Sequence, residues 1–218
     1  MKKYVNLFVF VFMIGACLSQ GRAQTKSAVS YKNPVVDIAM PDPTVIKAAD
    51  GYFYVYATES TRNVPIMKSK DLVEWTYCNT AFTNKTRPRF EPKAGIWAPD
   101  INYINGKYVL YYAMSVWGGE QTCGIGVATA NSPQGPFTDH GKMFRSNEIG
   151  VQNSIDPSLL QYEGRNYLVW GSFRGIYVIE LTTDGLSIMP GAKKKRIAGT
   201  AFEAVYIHKH DDYYYMFA

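Results

Sequence analysis

Cysteine is scarce in this chain, three in 218 residues at positions 17, 78 and 123, too few for the disulfide framework of a small secreted domain. Helical periodicity is missing as well. Beyond residue 23 no stretch keeps apolar residues three and four apart for three turns without meeting a Gly or Pro. Charge is modest at 19%, and much of the net +5 comes from Lys2-Lys3 and from Lys193-Lys194-Lys195-Arg196. Neither run is interleaved with aromatic residues along a face, which excludes a nucleic-acid platform and reads as solvated loop. Long apolar runs are absent but for YVNLFVFVFMIGA at 4–16, too short to cross a bilayer. What the chain does hold is apolar and aromatic: 47% hydrophobic residues, with 17 Tyr, 11 Phe and 4 Trp. That is enough to bury a sizeable core, and the aromatic excess favours sheet packing or a stacking surface.

The run at 4–16 follows Met1-Lys2-Lys3, the layout of a bacterial export signal. The expectation is an export signal over residues 1–23, a linker over 24–32 and a globular unit over 33–218. Two processing sites compete. Ile14-Gly15-Ala16 before Cys17 resembles a lipobox, and Gly21-Arg22-Ala23 before Gln24 suits ordinary signal peptidase. Lipid on Cys17 would tether the protein to a membrane by its N-terminus; otherwise it is released with Cys78 and Cys123, either paired or as buried thiols.

Internal repetition is the most informative feature. DPTVIKAADGYFYVYAT from Asp42, PDINYINGKYVLYYAMS from Pro99, IDPSLLQYEGRNYLVWGS from Ile155 and FEAVYIHKHDDYYYMFA from Phe202 each run acidic residue, apolar strand, tight turn and Tyr/Val-rich strand. The turns carry Asp-Gly, Asn-Gly, Glu-Gly and Asp-Asp, residues that tolerate the positive φ of hairpin turns. Asp42, Asp100, Asp156 and Glu203 are 58, 56 and 47 residues apart. A period of about fifty with several strands per repeat indicates an all-β fold, a β-propeller with one blade per repeat. Outer strands are expected around VPIMKSKDLVEWTY at Val64 and CGIGVATANSPQGPFTDHG at Cys123, the latter folded at the turn cluster 131–136. Innermost strands of a propeller gather round one axis, so Asp42, Asp156 and Glu203 would converge there. Unpaired carboxylates in such a place repel one another and resist burial, which points to chemistry rather than turn capping.

The ordered set PDP at 41–43, WAPDI at 97–101, IDPSL at 155–159, WGSF at 170–173 and FEAVYI at 202–207 resembles glycoside hydrolase family 43, five-bladed propellers that cleave arabinose- and xylose-containing polysaccharides. The resemblance runs from about residue 33 to the end of the chain. It implies Asp42 as general base, Glu203 as general acid, and Asp156 as the carboxyl that orients the acid and raises its proton affinity. Those are the roles that inverting glycoside hydrolysis needs, without a catalytic metal. Asp100 aligns with the other acids but is expected to support the structure. Trp97 could offer a flat face to a sugar, and Asn153, Ser172 and Phe173 stand beside the motif strands where hydroxyl contacts are expected. Tyr111, Tyr112, Tyr213, Tyr214 and Tyr215 lie in strand interiors and are expected to be core. His208 and His210 share a face without partners at metal-ligand spacing.

Within the family, NSIDPSL, WGSFRGIYVIEL and FEAVYI most resemble endo-1,5-α-L-arabinanases, which implies a polysaccharide or oligosaccharide partner. Arabinanases often carry His before the base; here Pro41 precedes Asp42, as in some arabinofuranosidases and xylosidases. A β-xylosidase, an arabinofuranosidase and a non-catalytic carbohydrate-binding propeller are the alternatives. The pattern of earlier repeats reaches Ala218 in mid-strand, with about three and a half blades of five in place. The expectation is therefore a C-terminally truncated domain, poorly active by itself. The structural calcium implied by the resemblance would take its histidine from beyond residue 218.

Overall fold

The computed structural model describes residues 30–218. The expected export signal at 1–23, the lipobox-like site at Cys17 and most of the expected 24–32 linker lie outside the described residues. Residues 32–218 form one unit, built from three four-stranded antiparallel sheets and one two-stranded sheet, each a simple meander. The first sheet is β1 (Thr44–Lys47), β2 (Phe53–Tyr56), β3 (Pro65–Ser69) and β4 (Trp75–Thr80). The second is β5 (Gly95–Ile104), β6 (Lys107–Ser115), β7 (Gly124–Ala130) and β8 (Thr138–Arg145), and the third is β9 (Ser158–Tyr162), β10 (Arg165–Trp170), β11 (Ile176–Glu180) and β12 (Lys195–Ala198). The fourth pairs β13 (Tyr206–His210) with β14 (Tyr213–Phe217). Inner strands stand side by side in sequence order, β1 with β5, β5 with β9 and β9 with β13. This is the propeller arrangement, three complete blades and the inner hairpin of a fourth.

Each anticipated hairpin forms. Asn105-Gly106 has φ of 49° and 81°, and Glu163-Gly164 has 49° and 72°, the paired left-handed residues that match the twist of the flanking strands. The cluster at 131–136 joins β7 to β8. One detail goes beyond the sequence reading and one reading needs correction. A single helical turn, α1 (Ser146–Ile149), follows β8; it is too short to show periodicity, and it forms where Glu148 reaches back to the Arg145 N–H, 3.0 Å away. The basic run is not wholly loop, since Lys195 and Arg196 lie on β12, the outer edge of the third blade. Charged side chains there oppose pairing with another chain's strand.

The core lies between blades. Adjacent residues of a strand face opposite sides of its sheet, so Tyr112 packs with Tyr56, Phe82 and Phe137 towards the first blade. Tyr111 packs with Phe144, Leu168 and Trp170 towards the third. Both rings are fully buried, and each hydroxyl has a partner, Gly185 O at 2.8 Å for Tyr111 and Asp139 at 2.5 Å for Tyr112. Tyr213, Tyr214 and Tyr215 differ from the expected core residues, being 68%, 39% and 46% exposed. That hairpin packs on other described residues only towards the third blade, where Tyr214 meets Tyr162 and Ile207 meets the Val169 and Ile176 cluster, whereas β6 is covered on both faces. Cys78 and Cys123 are both free thiols.

Candidate active site

The backbone ahead of each inner strand repeats one local conformation. Asp42, Ala98, Asp156 and Ala204 have φ of 49°, 39°, 57° and 52°, and the inner strand's pairing starts or resumes two residues later, at Thr44, Asp100, Ser158 and Tyr206. Left-handed backbone is sparsely populated by residues with a Cβ and recurs at functional sites. Proline follows in the first three blades, which disfavours right-handed helix at the preceding residue. The acids are therefore not in one register, as their alignment in the sequence suggested. Asp42 and Asp156 occupy the left-handed position itself; Glu203 stands one residue before it and Asp100 two after. The eye is drawn to like residues in a repeat, but hydrogen-bond register decides equivalence.

All four acids nevertheless line one cavity of about 1030 Å³, which also takes in Trp97, Asn153, Ser172 and Phe173. Every candidate residue read from the sequence is thus brought to one place. Asp42 Oδ2 accepts a hydrogen bond from the Thr58 hydroxyl at 2.5 Å, while Thr58 Oγ1 accepts the Ala98 N–H at 2.7 Å. Asp156 Oδ2 accepts the Ala204 N–H at 3.2 Å. Burial pushes its carboxyl up to about 7; the Ala204 N–H works against this, and the nearby charges of Glu203 and Asp42 add to it. Glu203 Oε2 accepts from the Ser172 hydroxyl at 3.0 Å. Ser172 is only 2% exposed, so its hydroxyl serves the carboxylate. Asn153 likewise donates from Nδ2 to Ser172 O at 3.1 Å.

Asp100 is half-buried at the base of the cavity wall and joins three blades. Its Oδ2 accepts Asn102 Nδ2 at 2.7 Å and the Leu159 N–H at 2.8 Å, and its Oδ1 accepts the Thr44 hydroxyl at 3.5 Å. Burial raises its carboxyl to about 6 against those donors. This is the supporting role expected for it. Two further contributors gave no signal in the sequence. Thr58 sits in a Ser/Thr-rich loop with nothing to distinguish it, and Trp117, 94% exposed at the cavity edge, stands 5.6 Å from Trp97 between ring centres. Among the described residues no three His, Cys, Asp or Glu side chains stand together as a metal site.

A propeller whose successive blades bring carboxyl groups with unlike environments to the mouth of one cavity, beside exposed aromatic faces, belongs to the class of carbohydrate-active folds. Residues 31–218 match the family Glycosyl hydrolases family 43, and the chain belongs to that family. It is 35% identical over 189 residues to the extracellular endo-α-(1→5)-L-arabinanase 1 of Bacillus subtilis, covering 80% of this chain and 57% of the relative. Among solved structures it resembles the native Bacillus subtilis arabinanase, with a TM-score of 0.72 and 32% identity over 83% of this chain and 65% of that one. The Cellvibrio cellulosa α-L-arabinanase complexed with arabinohexaose superposes with a TM-score of 0.71 at 27% identity, over 82% of this chain and 64% of the other. The chain spans about half the length of the curated relatives it matches.

Proposed function

We propose that the protein is an exported glycosidase that hydrolyses α-1,5-linked arabinan with inversion. The observation that carries the reading is the meeting of Asp42, Asp156 and Glu203 from three different blades at one cavity. Asp42 acts as the base that activates water. Thr58 holds its Oδ2, and Oδ1, without a protein donor among the described residues, takes the proton. Glu203 acts as the acid. Ser172 occupies its Oε2, which leaves Oε1 to carry the proton to the departing sugar oxygen. An inverting pair must stand about 6.5–9.5 Å apart to admit both sugar and water. Asp156, within electrostatic reach of both, accepts the Ala204 N–H and so orients the backbone that carries the acid. Trp97 and Trp117 offer apolar faces to pentose rings. The arabinanase relatives support the choice of sugar, and the Bacillus subtilis relative described as extracellular supports export.

The test is release of reducing sugar from linear arabinan, debranched arabinan and xylan by the full gene product. Products from linear arabinan that disappear in Asp42→Asn and in Glu203→Gln are expected. Hydrolysis confined to xylan or aryl pentosides would move the substrate elsewhere in the family. Sugar binding without hydrolysis of any of them would replace the glycosidase by a carbohydrate-binding propeller.

A further inference from the structure

Phe173 is a bulky residue held at φ 50° on the cavity wall, 48% exposed. A side chain of that size is rare in left-handed backbone and stays there only when its surroundings over-determine it. Two bonds fix its own peptide groups. Its N–H donates to Phe202 O at 2.9 Å, next to Glu203, and its carbonyl accepts Arg174 Nη1 at 3.1 Å. The rest of that guanidinium reaches across to the preceding blade. Arg174 Nε lies 3.1 Å from Glu120 Oε2, and Nη2 lies 2.9 Å from Oε2 and 3.2 Å from Oε1, the forked pairing that gives an Arg–carboxylate contact its directional hold. Glu120 gathers more of the same wall. Its Oε2 accepts Gln152 Nε2 at 2.7 Å and its backbone O accepts the Asn153 N–H at 2.7 Å. Asn153 in turn donates to Ser172 O, and Ser172 to Glu203.

We infer that Glu120 and Arg174 are positioning residues, an ion-paired brace across the second and third blades that holds Phe173 in its left-handed conformation as a sugar-binding wall beside Glu203. Neither side chain needs to touch the sugar. Arg174 fixes the carbonyl side of Phe173, and Glu120 fixes Arg174 together with the Asn153–Ser172 line behind it. Breaking the pair frees residues 173–175 to relax towards ordinary backbone, which withdraws the ring from the cavity, while Ser172, held through its carbonyl by Asn153 Nδ2, keeps its hydroxyl on Glu203 and the acid in place.

Only the kinetic part of the test rests on the glycosidase reading. In the full gene product, Glu120→Gln and Arg174→Lys are each compared with the unsubstituted protein by hydrogen exchange and by steady-state kinetics on a linear arabino-oligosaccharide. Each substitution is expected to speed exchange in the peptide spanning 171–175 by about tenfold while outer strands such as β3 and β7 are unchanged. Each is expected to raise KM about fivefold with kcat within about twofold, and to add nothing further in a Phe173→Ala background. Unchanged exchange at 171–175 in both variants overturns the brace, as does a KM effect that adds in full to that of Phe173→Ala. If the unsubstituted protein hydrolyses no arabinan, the glycosidase reading falls and the exchange comparison still decides the brace.

Discussion

At the scale of single residues, Asp156 shows most plainly what the site costs the fold. Its carboxyl titrates near 7 in the folded protein because it is buried beside other acids, against about 3.9 in an unfolded chain. The folded state therefore binds the extra proton, and the associated stability, present below about pH 4, is lost as pH rises through about 7. Asp156→Asn keeps an acceptor for the Ala204 N–H but carries no charge. It is expected to stabilise the fold at pH 8 by on the order of 1–3 kcal/mol, with little effect at pH 4, while abolishing hydrolysis; urea melts at the two pH values measure it. Thr58 poses the converse case. Thr58→Val retains shape but removes both the donor to Asp42 and the acceptor for Ala98 N–H. A hydrogen bond to a charged group is worth about 1.5–3 kcal/mol, so kcat/KM on linear arabinan should fall by at least about tenfold. An unchanged kcat/KM would show that Asp42 is held by something else.

At the scale of elements, the joints between blades carry the tightest geometry. Glu59, in the loop after β2, receives Arg87 Nη1 and Nη2 at 2.7 and 2.6 Å and the N–H groups of Asn63 and Ile96 at 2.7 and 3.0 Å. The pair is nearly buried, with side-chain exposures of 7% and 10%. Truncating one partner of such a pair strands the other charge, so Glu59→Ala is expected to destabilise by about 3–5 kcal/mol in a denaturant titration. Within the second blade, β6 and β7 approach so closely that a Cβ at Gly126 would meet the Tyr112 ring and hydroxyl at 2.4 Å. Gly126→Ala should cost about 1–3 kcal/mol through displacement of Tyr112, read as a lowered melting midpoint. The hairpins themselves were legible in the sequence, because Asn-Gly and Glu-Gly between Tyr- and Val-rich runs are local signals. Strand register was not. Asp100 looks like the counterpart of Asp42 in a row of letters, yet the irregular pairing between Trp97 and Asp100 places it opposite Tyr111, at the level of Thr44.

At the scale of the whole molecule, opposing groups set the dependence of stability on pH. Burial raises Asp156 to about 7 and Asp100 to about 6, so both disfavour the fold as pH climbs through that range. For Glu59, burial pushes up but the Arg87 hydrogen bonds and the Asn63 and Ile96 N–H groups outweigh it and hold the carboxyl low; backbone N–H groups of Glu74 and Val73 lower Asp71. Those two contribute above about pH 4 and lose their contribution on acidification. A melting-temperature maximum near about pH 5 is expected, with a decline towards pH 7.5 that flattens in Asp156→Asn. A maximum at or above neutral pH would contradict the burial of these two carboxyls.

The sequence by itself determined what is local and repeated. Turn residues with positive φ, alternating apolar strands and a period of about fifty were enough for blades, and acidic residues that recur at the start of inner strands marked Asp42, Asp100, Asp156 and Glu203, of which the family resemblance set Asp100 apart as a supporting residue. Tertiary structure alone decided how those residues meet. The one-residue offset of Glu203 from the left-handed position is a matter of register, Trp117 meets Trp97 across the second blade, and Thr58, shared between Asp42 and Ala98, and the Arg174–Glu120 pair join segments of different blades. Contacts between distant parts of the chain follow from packing and register, and neither leaves a mark on the neighbouring letters.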